Sequence, residues 1–184
     1  MFVLILGISI FIGIHMVPIL VPLRRWIIIR WGEDTYKKIF ALISLIGLIL
    51  IVLGKYMSDF YPLWQPPAWG RNAALVLMIP ALIFLSAAYM SSNVKRHARH
   101  PMLWGITLWA VGHLLANGDL ASLILFGSLA AFALLDMASL NARGATRQHI
   151  RYPWTKDATV VAVGLMVYGG LLFLHPYLFG AAVL

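Results

Sequence analysis

The sequence predicts an all-α integral membrane protein, a polytopic bundle of six transmembrane helices. Of its 184 residues, 62% are hydrophobic and 11% are charged, whereas a soluble domain carries about 25% charged residues. Several apolar runs approach the roughly 20 residues with which a helix crosses the hydrocarbon core. These runs are continuous and do not alternate with polar residues, which favours a helical bundle over a β-barrel.

Six predicted spans and their loops account for the whole chain, residues 1–184, as one domain. The first span ends at Pro22 and the Arg24-Arg25 pair, and a basic connector of residues 22–38 follows it. Asn117-Gly118 is a turn signal after the fourth span, and Asp119 can cap the fifth. The predicted spans are approximately residues 2–21, 39–53 (or to 57), 72–89, 102–116, 120–140 and 157–174.

The net charge of +8 is distributed unevenly between the loops. Twelve of the 14 lysines and arginines lie between spans 1 and 2, 3 and 4, or 5 and 6; only Lys55 and Arg71 lie on the other side. Cytoplasmic loops are enriched in these residues, so we expect these three loops in the cytoplasm and both termini outside. Topology alone then explains the basic charge, and the expected partner is membrane lipid, with no nucleic acid.

Two of the six histidines lie within apolar spans, where ionisable groups are candidates for function. His15 and His113 both share a helical face with bulky apolar residues, and Trp109 lies on the face of His113. The chain has no cysteine, which excludes thiolate ligands and covalent haem attachment. Isolated imidazoles in apolar surroundings favour a noncovalent haem, because the porphyrin supplies four ligands. The alternative is that both histidines only bridge helices.

The depths of the histidines leave other ligand pairs open. At 1.5 Å per residue, His15 lies about 20 Å from the outer end of its span, whereas His113 falls in the outer half. Rival pairs are therefore His100 with His15, and His113 with His175. Haem propionates could be bound by arginines near the inner surface. These candidates are Arg24, Arg25, Arg96 and Arg99.

Two further expectations concern packing. Asp136, near the cytoplasmic end of the fifth span, is expected to form an ion pair with Arg143 or Arg147, with proton handling as the alternative. Small residues on one face let helices approach closely in lipid. The predicted small faces are Gly127, Ala131 and Ala138 in span five, and Ala158, Ala162 and Gly169 in span six.

Residues 99–105 read RHPMLWG, residues 108–110 read LWA and residues 113–122 read HLLANGDLAS. Together with GIHMVP at residues 13–18 and Leu23-Arg24, these motifs resemble the NnrU family. The resemblance implies a bacterial inner-membrane protein associated with denitrification and with production of active nitric oxide reductase. The family is also similar to plant zeta-carotene isomerases, which hold haem b, and matching their motifs places the two haem ligands at His15 and His113.

Three functional hypotheses follow. The first is a haem b protein with an accessory or sensor role in nitric oxide metabolism; its partners would be a gaseous ligand, an electron donor or nitric oxide reductase. The second is a haem-dependent isomerase of a lipid-soluble polyene. Ala110 stands where the plant isomerases carry a cysteine, so a mechanism that uses this thiol is not expected to carry over. The third is a haem-free membrane scaffold.

Overall fold

The computed structural model describes residues 1–180 and confirms the all-α prediction. Within this range the chain forms eight helices, and an isolated β-bridge joins Pro62 to Asp119. The predicted domain of residues 1–184 also includes residues 181–184, which lie outside the described residues. The helices are α1 (Phe2–Met16), α2 (Val21–Trp31), α3 (Glu33–Tyr56), α4 (Gly70–Tyr89), α5 (Val94–His97), α6 (Pro101–Ala116), α7 (Leu120–Ala142) and α8 (Trp154–Phe179).

The membrane character is clear, but the number of full-length spans differs from the predicted six. Among residues 1–180, α3, α4, α7 and α8 are long and apolar enough to cross a bilayer. The pair α1 and α2 makes a fifth candidate if it is taken as one span bent by 83°. Helix α6 has 16 residues, or about 24 Å at 1.5 Å per residue, which is less than the roughly 30 Å of a hydrocarbon core.

The predicted connector of residues 22–38 is wrong, because most of it is helical. Helix α1 ends at Met16, two residues before Pro18, which has no backbone N–H to continue the helical hydrogen bonds. Pro22 then occupies the first turn of α2, where its missing N–H costs no hydrogen bond. Gly32, with a φ of 83°, separates α2 from α3. Pro22, which was expected to end the first span, therefore lies in the first turn of a new helix.

The chain divides into two compact units. Unit 1 comprises residues 1–64 and 119–128, and unit 2 comprises residues 65–118 and the described residues from 129 onward. In unit 1, α1 packs against α3 at glycines. A Cβ atom on Gly7 would lie 2.6 Å from the backbone nitrogen of Ile51, and one on Gly47 would lie 2.9 Å from that of Phe11. The two backbones therefore touch where side chains are absent.

In unit 2, α4 packs against both α6 and α8. Gly164 of α8 faces Ile83, and a Cβ atom there would lie 2.9 Å from the Ile83 Cα. The small faces predicted for α7 and α8 are wrong: Ala158, Ala162 and Gly169 are exposed, whereas Gly164 and Val160 are buried. In α7, Ala131 and Ala138 are likewise exposed.

A buried polar cluster in unit 1 joins the end of α3 to the start of α7. Lys55 Nζ donates to Asp119 Oδ1 at 2.9 Å and to Ser122 Oγ at 2.8 Å. The Ser122 backbone N–H donates to Asp119 Oδ1 at 3.0 Å, which confirms Asp119 as the cap of α7. The Leu120 N–H donates to the Tyr61 carbonyl at 2.9 Å.

A second polar cluster lies in unit 2 and centres on Asn93. Its Nδ2 donates to Asp157 Oδ2 at 2.6 Å and to the Tyr152 carbonyl at 2.8 Å. Its backbone N–H donates to Asp157 Oδ1 at 2.7 Å, and its Oδ1 accepts from the Tyr152 N–H at 2.9 Å. One side chain thus joins the segment before α5 to the segment that begins α8.

Candidate functional site

His15 lies one residue before the end of α1, and its ring orientation is fixed within its own helix. Nδ1 lies 2.7 Å from the Phe11 carbonyl oxygen. A carbonyl only accepts, so Nδ1 carries the proton and a neutral ring has its lone pair on Nε2. The ring stacks on Phe11 with centroids 4.2 Å apart and meets the edge of Phe40 from α3 at 5.0 Å. The His15 ring is half-buried and contacts both of these aromatic rings.

His113 in α6 repeats this arrangement in unit 2. Its Nδ1 lies 2.8 Å from the Trp109 carbonyl oxygen, so its lone pair is also on Nε2. The Trp109 ring, predicted to share the face of His113, lies 4.9 Å from it between centroids. In both helices an aromatic residue four positions earlier supplies a ring contact and the backbone acceptor. The sequence signal is the spacing F-x-x-x-H and W-x-x-x-H.

The rival histidines differ from these two. In unit 2, Asn141 Oδ1 accepts from Arg99 Nη1 at 2.6 Å and lies 3.0 Å from His100 Nε2. Because that oxygen is an acceptor, His100 carries its proton on Nε2, the opposite tautomer from His15 and His113. His175 in α8 contacts Phe179, with centroids 4.9 Å apart.

The four candidate arginines occupy different segments. Arg24 and Arg25 line a cavity of about 260 Å³ in unit 1; the Arg24 guanidinium lies 5.9 Å from the ring centroid of Tyr36, a buried residue of α3. Arg99 lines another cavity, in unit 2. Arg96 is half-buried in the short helix α5 and lines neither of these two cavities.

The cavity in unit 2 measures about 480 Å³, and charged side chains from the segments on either side of α6 and α7 line it. Asp136 reaches it from α7 and pairs with Arg143, with Nη2 and Oδ1 3.9 Å apart. This pair confirms the predicted ion pair of Asp136. The residues that line it include Lys95, Arg99, His100, Asp136, Leu140 and Arg147.

Among residues 1–180, no three histidine, aspartate or glutamate side chains come together as a site for a bare metal ion. A haem makes a smaller demand on the protein, because the porphyrin supplies four of the iron ligands. The residues present fit that demand: His15 and His113 each carry a lone pair on Nε2, a bonded Nδ1–H and an aromatic neighbour. A fixed N–H bond of this kind orients a ligating imidazole.

Comparison with known proteins gives one match. The family model described as NnrU protein covers residues 3–183, nearly the whole chain. Searches of curated proteins and of solved structures found no significant match. By the extent of the family match, this helical membrane protein belongs to the NnrU family.

Proposed function

We propose that this protein binds one haem b noncovalently, with Nε2 of His15 and Nε2 of His113 as the iron ligands. The observation that carries the proposal is their shared local geometry. Each ring donates from Nδ1 to the carbonyl four residues earlier and contacts the aromatic ring of that same residue. Two apolar helices thus orient an imidazole in the same way, and in each neutral ring Nε2 would be the nitrogen that ligates the iron.

The alternatives receive less support from the same contacts. A histidine that bridges helices would use its ring N–H on a neighbouring helix, whereas these two N–H groups bond to their own helix. His100 would have to give up its Nε2–H bond to Asn141, or bind through Nδ1. The proposal therefore ranks His15 and His113 above the pair that includes His100.

The bound haem would supply an iron that can exchange an electron. With both histidines bound the iron would have no open position, so one histidine would have to detach before a small gas binds. We propose that the protein uses it in an accessory or sensor role in nitric oxide metabolism, as its family implies. Ala110, fully buried in α6, places a methyl group where the related isomerases carry a thiol. That substitution favours the accessory role over isomerisation of a polyene. The roles of His15, His113 and Trp109 are to hold, orient and shield the cofactor.

The proposed setting is the bacterial inner membrane, crossed six times. In this arrangement α1 with α2 forms one bent crossing and α6 a short one. The basic segments of residues 24–38, 95–99 and 143–156 face the cytoplasm, because twelve of the 14 lysines and arginines lie there. Both termini then face the periplasm.

An absorption spectrum of the protein purified in detergent tests the cofactor. We expect a Soret band that is lost or shifted in both His15→Ala and His113→Ala. His97→Ala and His149→Ala are matched controls, because both residues are exposed, and they should leave the band unchanged. Purified protein without a Soret band would refute haem binding. A band that responds to His100→Ala and not to His113→Ala would reassign the ligand.

The role is tested separately. We expect nitric oxide to change the spectrum of the reduced protein, and a strain that lacks this protein to have low nitric oxide reductase activity. Expression of the wild-type protein in this strain should restore the nitric oxide reductase activity, whereas expression of His113→Ala should not. The amounts of the two proteins in the membrane are compared as the control. Full restoration by the haem-free variant would contradict a haem-dependent accessory role. Conversion of an added polyene by the reduced protein would instead support the isomerase.

A further inference from the structure

The cavity of unit 2 has a charge that the haem proposal does not use. Lys95 comes from α5, Arg99 from the segment after it, and Arg147 from the segment after α7. Three cations from two separate segments therefore line one space. The cavity measures about 480 Å³ and is open at the surface, where Arg99 and Arg147 are exposed.

The acid in the cavity does not neutralise these cations. Asp136 is paired with Arg143, so its negative charge is already balanced by a fourth cation. Among the described residues, neither Lys95 nor Arg147 forms a side-chain ion pair or hydrogen bond. The lining therefore carries a net positive charge, which favours an anionic ligand.

Other features arrange donors toward the same space. Asn141 accepts from Arg99 and thereby holds one end of the guanidinium, while the remaining N–H groups can bind an oxyanion in bidentate fashion. Helix α6 begins at Pro101, and Met102 and Leu103 of its first turn line the cavity. Backbone N–H groups in a first helical turn lack intrahelical acceptors and carry partial positive charge.

We propose that this cavity binds a phosphate group, carried either by an anionic phospholipid headgroup or by free phosphate. Guanidinium, ammonium and first-turn amides are the donors that recognise phosphate in proteins. Under the proposed topology the cavity faces the cytoplasmic side, where anionic headgroups lie. Arg99 is also a candidate for binding a haem propionate, whereas Lys95 and Arg147 are not, so Lys95 and Arg147 distinguish this site from the haem.

The test measures thermal stabilisation of the full-length protein in neutral detergent at fixed ionic strength, because a ligand of the folded state raises Tm. The probes are inorganic phosphate and short-chain phosphatidylglycerol, each titrated separately with chloride as the ionic control. If both probes stabilise the protein, free phosphate is sufficient for binding to the cavity. Stabilisation by phosphatidylglycerol alone identifies the lipid headgroup as the ligand.

The variants Lys95→Gln and Arg147→Gln should each weaken binding by about tenfold, since a charge-assisted hydrogen bond is lost. Arg147→Lys should retain part of the affinity. Arg151→Gln is the matched control, because Arg151 is an exposed residue of the same segment outside the cavity lining, and it should bind as wild type does. The proposal is overturned if neither probe stabilises the protein, or if Arg151→Gln loses as much affinity as Arg147→Gln. An unchanged Soret band in these variants would separate this result from any failure of haem binding.

Discussion

At His15 and His113 a hydrogen bond to the backbone determines which ring nitrogen carries the proton in the neutral form. The sequence could predict both residues, because a histidine inside an apolar span is unusual and its helical face can be read from the spacing. It could not predict that both rings bond through Nδ1 to a carbonyl of their own helix. Nor could it predict Phe40, which reaches His15 from α3, because a contact between helices leaves no local pattern.

The aromatic neighbours of the two histidines offer a milder test than removal of the imidazoles. Phe11→Leu and Trp109→Leu keep the backbone acceptor of Nδ1 but remove the ring contact. An aromatic contact is worth about 0.5–1.5 kcal/mol, so we expect haem affinity to fall by roughly two- to tenfold while the Soret band persists. Haem transfer to apomyoglobin measures this loss. Phe2→Leu, at a residue that is 77% exposed, should have no effect, and equal loss in all three variants would contradict the specific role.

Asp119 predicts a pH dependence of stability. Burial raises the pKa of its carboxyl group, but hydrogen bonds from Ser122 and Lys55 outweigh this and hold the pKa below its usual value. A group with a lowered pKa in the folded state stabilises the protein above its unfolded pKa of about 3.9, and this stabilisation is lost as the pH falls through the folded pKa. Asp119→Asn should therefore cost about 1–3 kcal/mol at neutral pH.

The measurement is thermal unfolding in detergent between pH 3 and pH 7. The difference between wild type and Asp119→Asn should be greatest near neutrality and should shrink as the pH approaches the lower limit. Asp59→Asn provides the comparison, because Asp59 is exposed in the loop after α3. A difference from wild type that is constant over the whole range would show that the negative charge of Asp119 contributes nothing.

At the scale of the helices, apolar runs located the elements better than their ends or their packing faces. Two prolines four residues apart act oppositely: Pro18 follows the end of α1, and Pro22 lies in the first turn of α2. The small-residue faces were wrong for a physical reason. In lipid, an alanine face can equally well contact another helix or acyl chains, so periodicity alone does not identify the contact.

Two glycines of α8 distinguish a position that contacts another helix from one that does not. A Cβ atom on Gly164 would collide with the Ile83 backbone, whereas none of the described atoms lies within 4 Å of a Cβ atom on Gly169. Gly164→Leu should therefore destabilise the protein by about 1–3 kcal/mol through overpacking, and Gly169→Leu should be tolerated. Thermal unfolding in one detergent compares the pair, and equal tolerance at both positions would contradict the packing of α8 on α4.

At the scale of the whole molecule, the composition predicts the class of protein but does not determine the number of membrane spans. Composition was sufficient to predict a helical membrane protein, and four helices among residues 1–180 meet the length and hydropathy of a span. The count of six could not be settled by the same means. The length of α6 and the 83° bend between α1 and α2 depend on individual prolines and glycines, which a hydropathy average does not resolve.

The absence of native cysteine makes the orientation directly testable. Single cysteines at Asp59 and Ser91, both exposed, report opposite sides of the proposed topology. We expect a membrane-impermeant maleimide to label Asp59→Cys in intact spheroplasts, and Ser91→Cys only after the membrane is opened. The cysteine-free parent is the blank. Labelling of Ser91→Cys in intact spheroplasts would reverse the orientation.

The hydrogen bonds of Asn93 also bear on whether the polypeptide must be continuous. Tyr152 and Asp157, which it binds, follow an exposed segment around Gly144, and α8 packs against α4 within the same unit. A protease cut near Gly144 should therefore leave both fragments associated during gel filtration in detergent, and release of the shorter fragment would contradict this. If they stay together, the last helix behaves as a subunit that happens to be covalently attached. Two separately translated pieces could then assemble into the same protein.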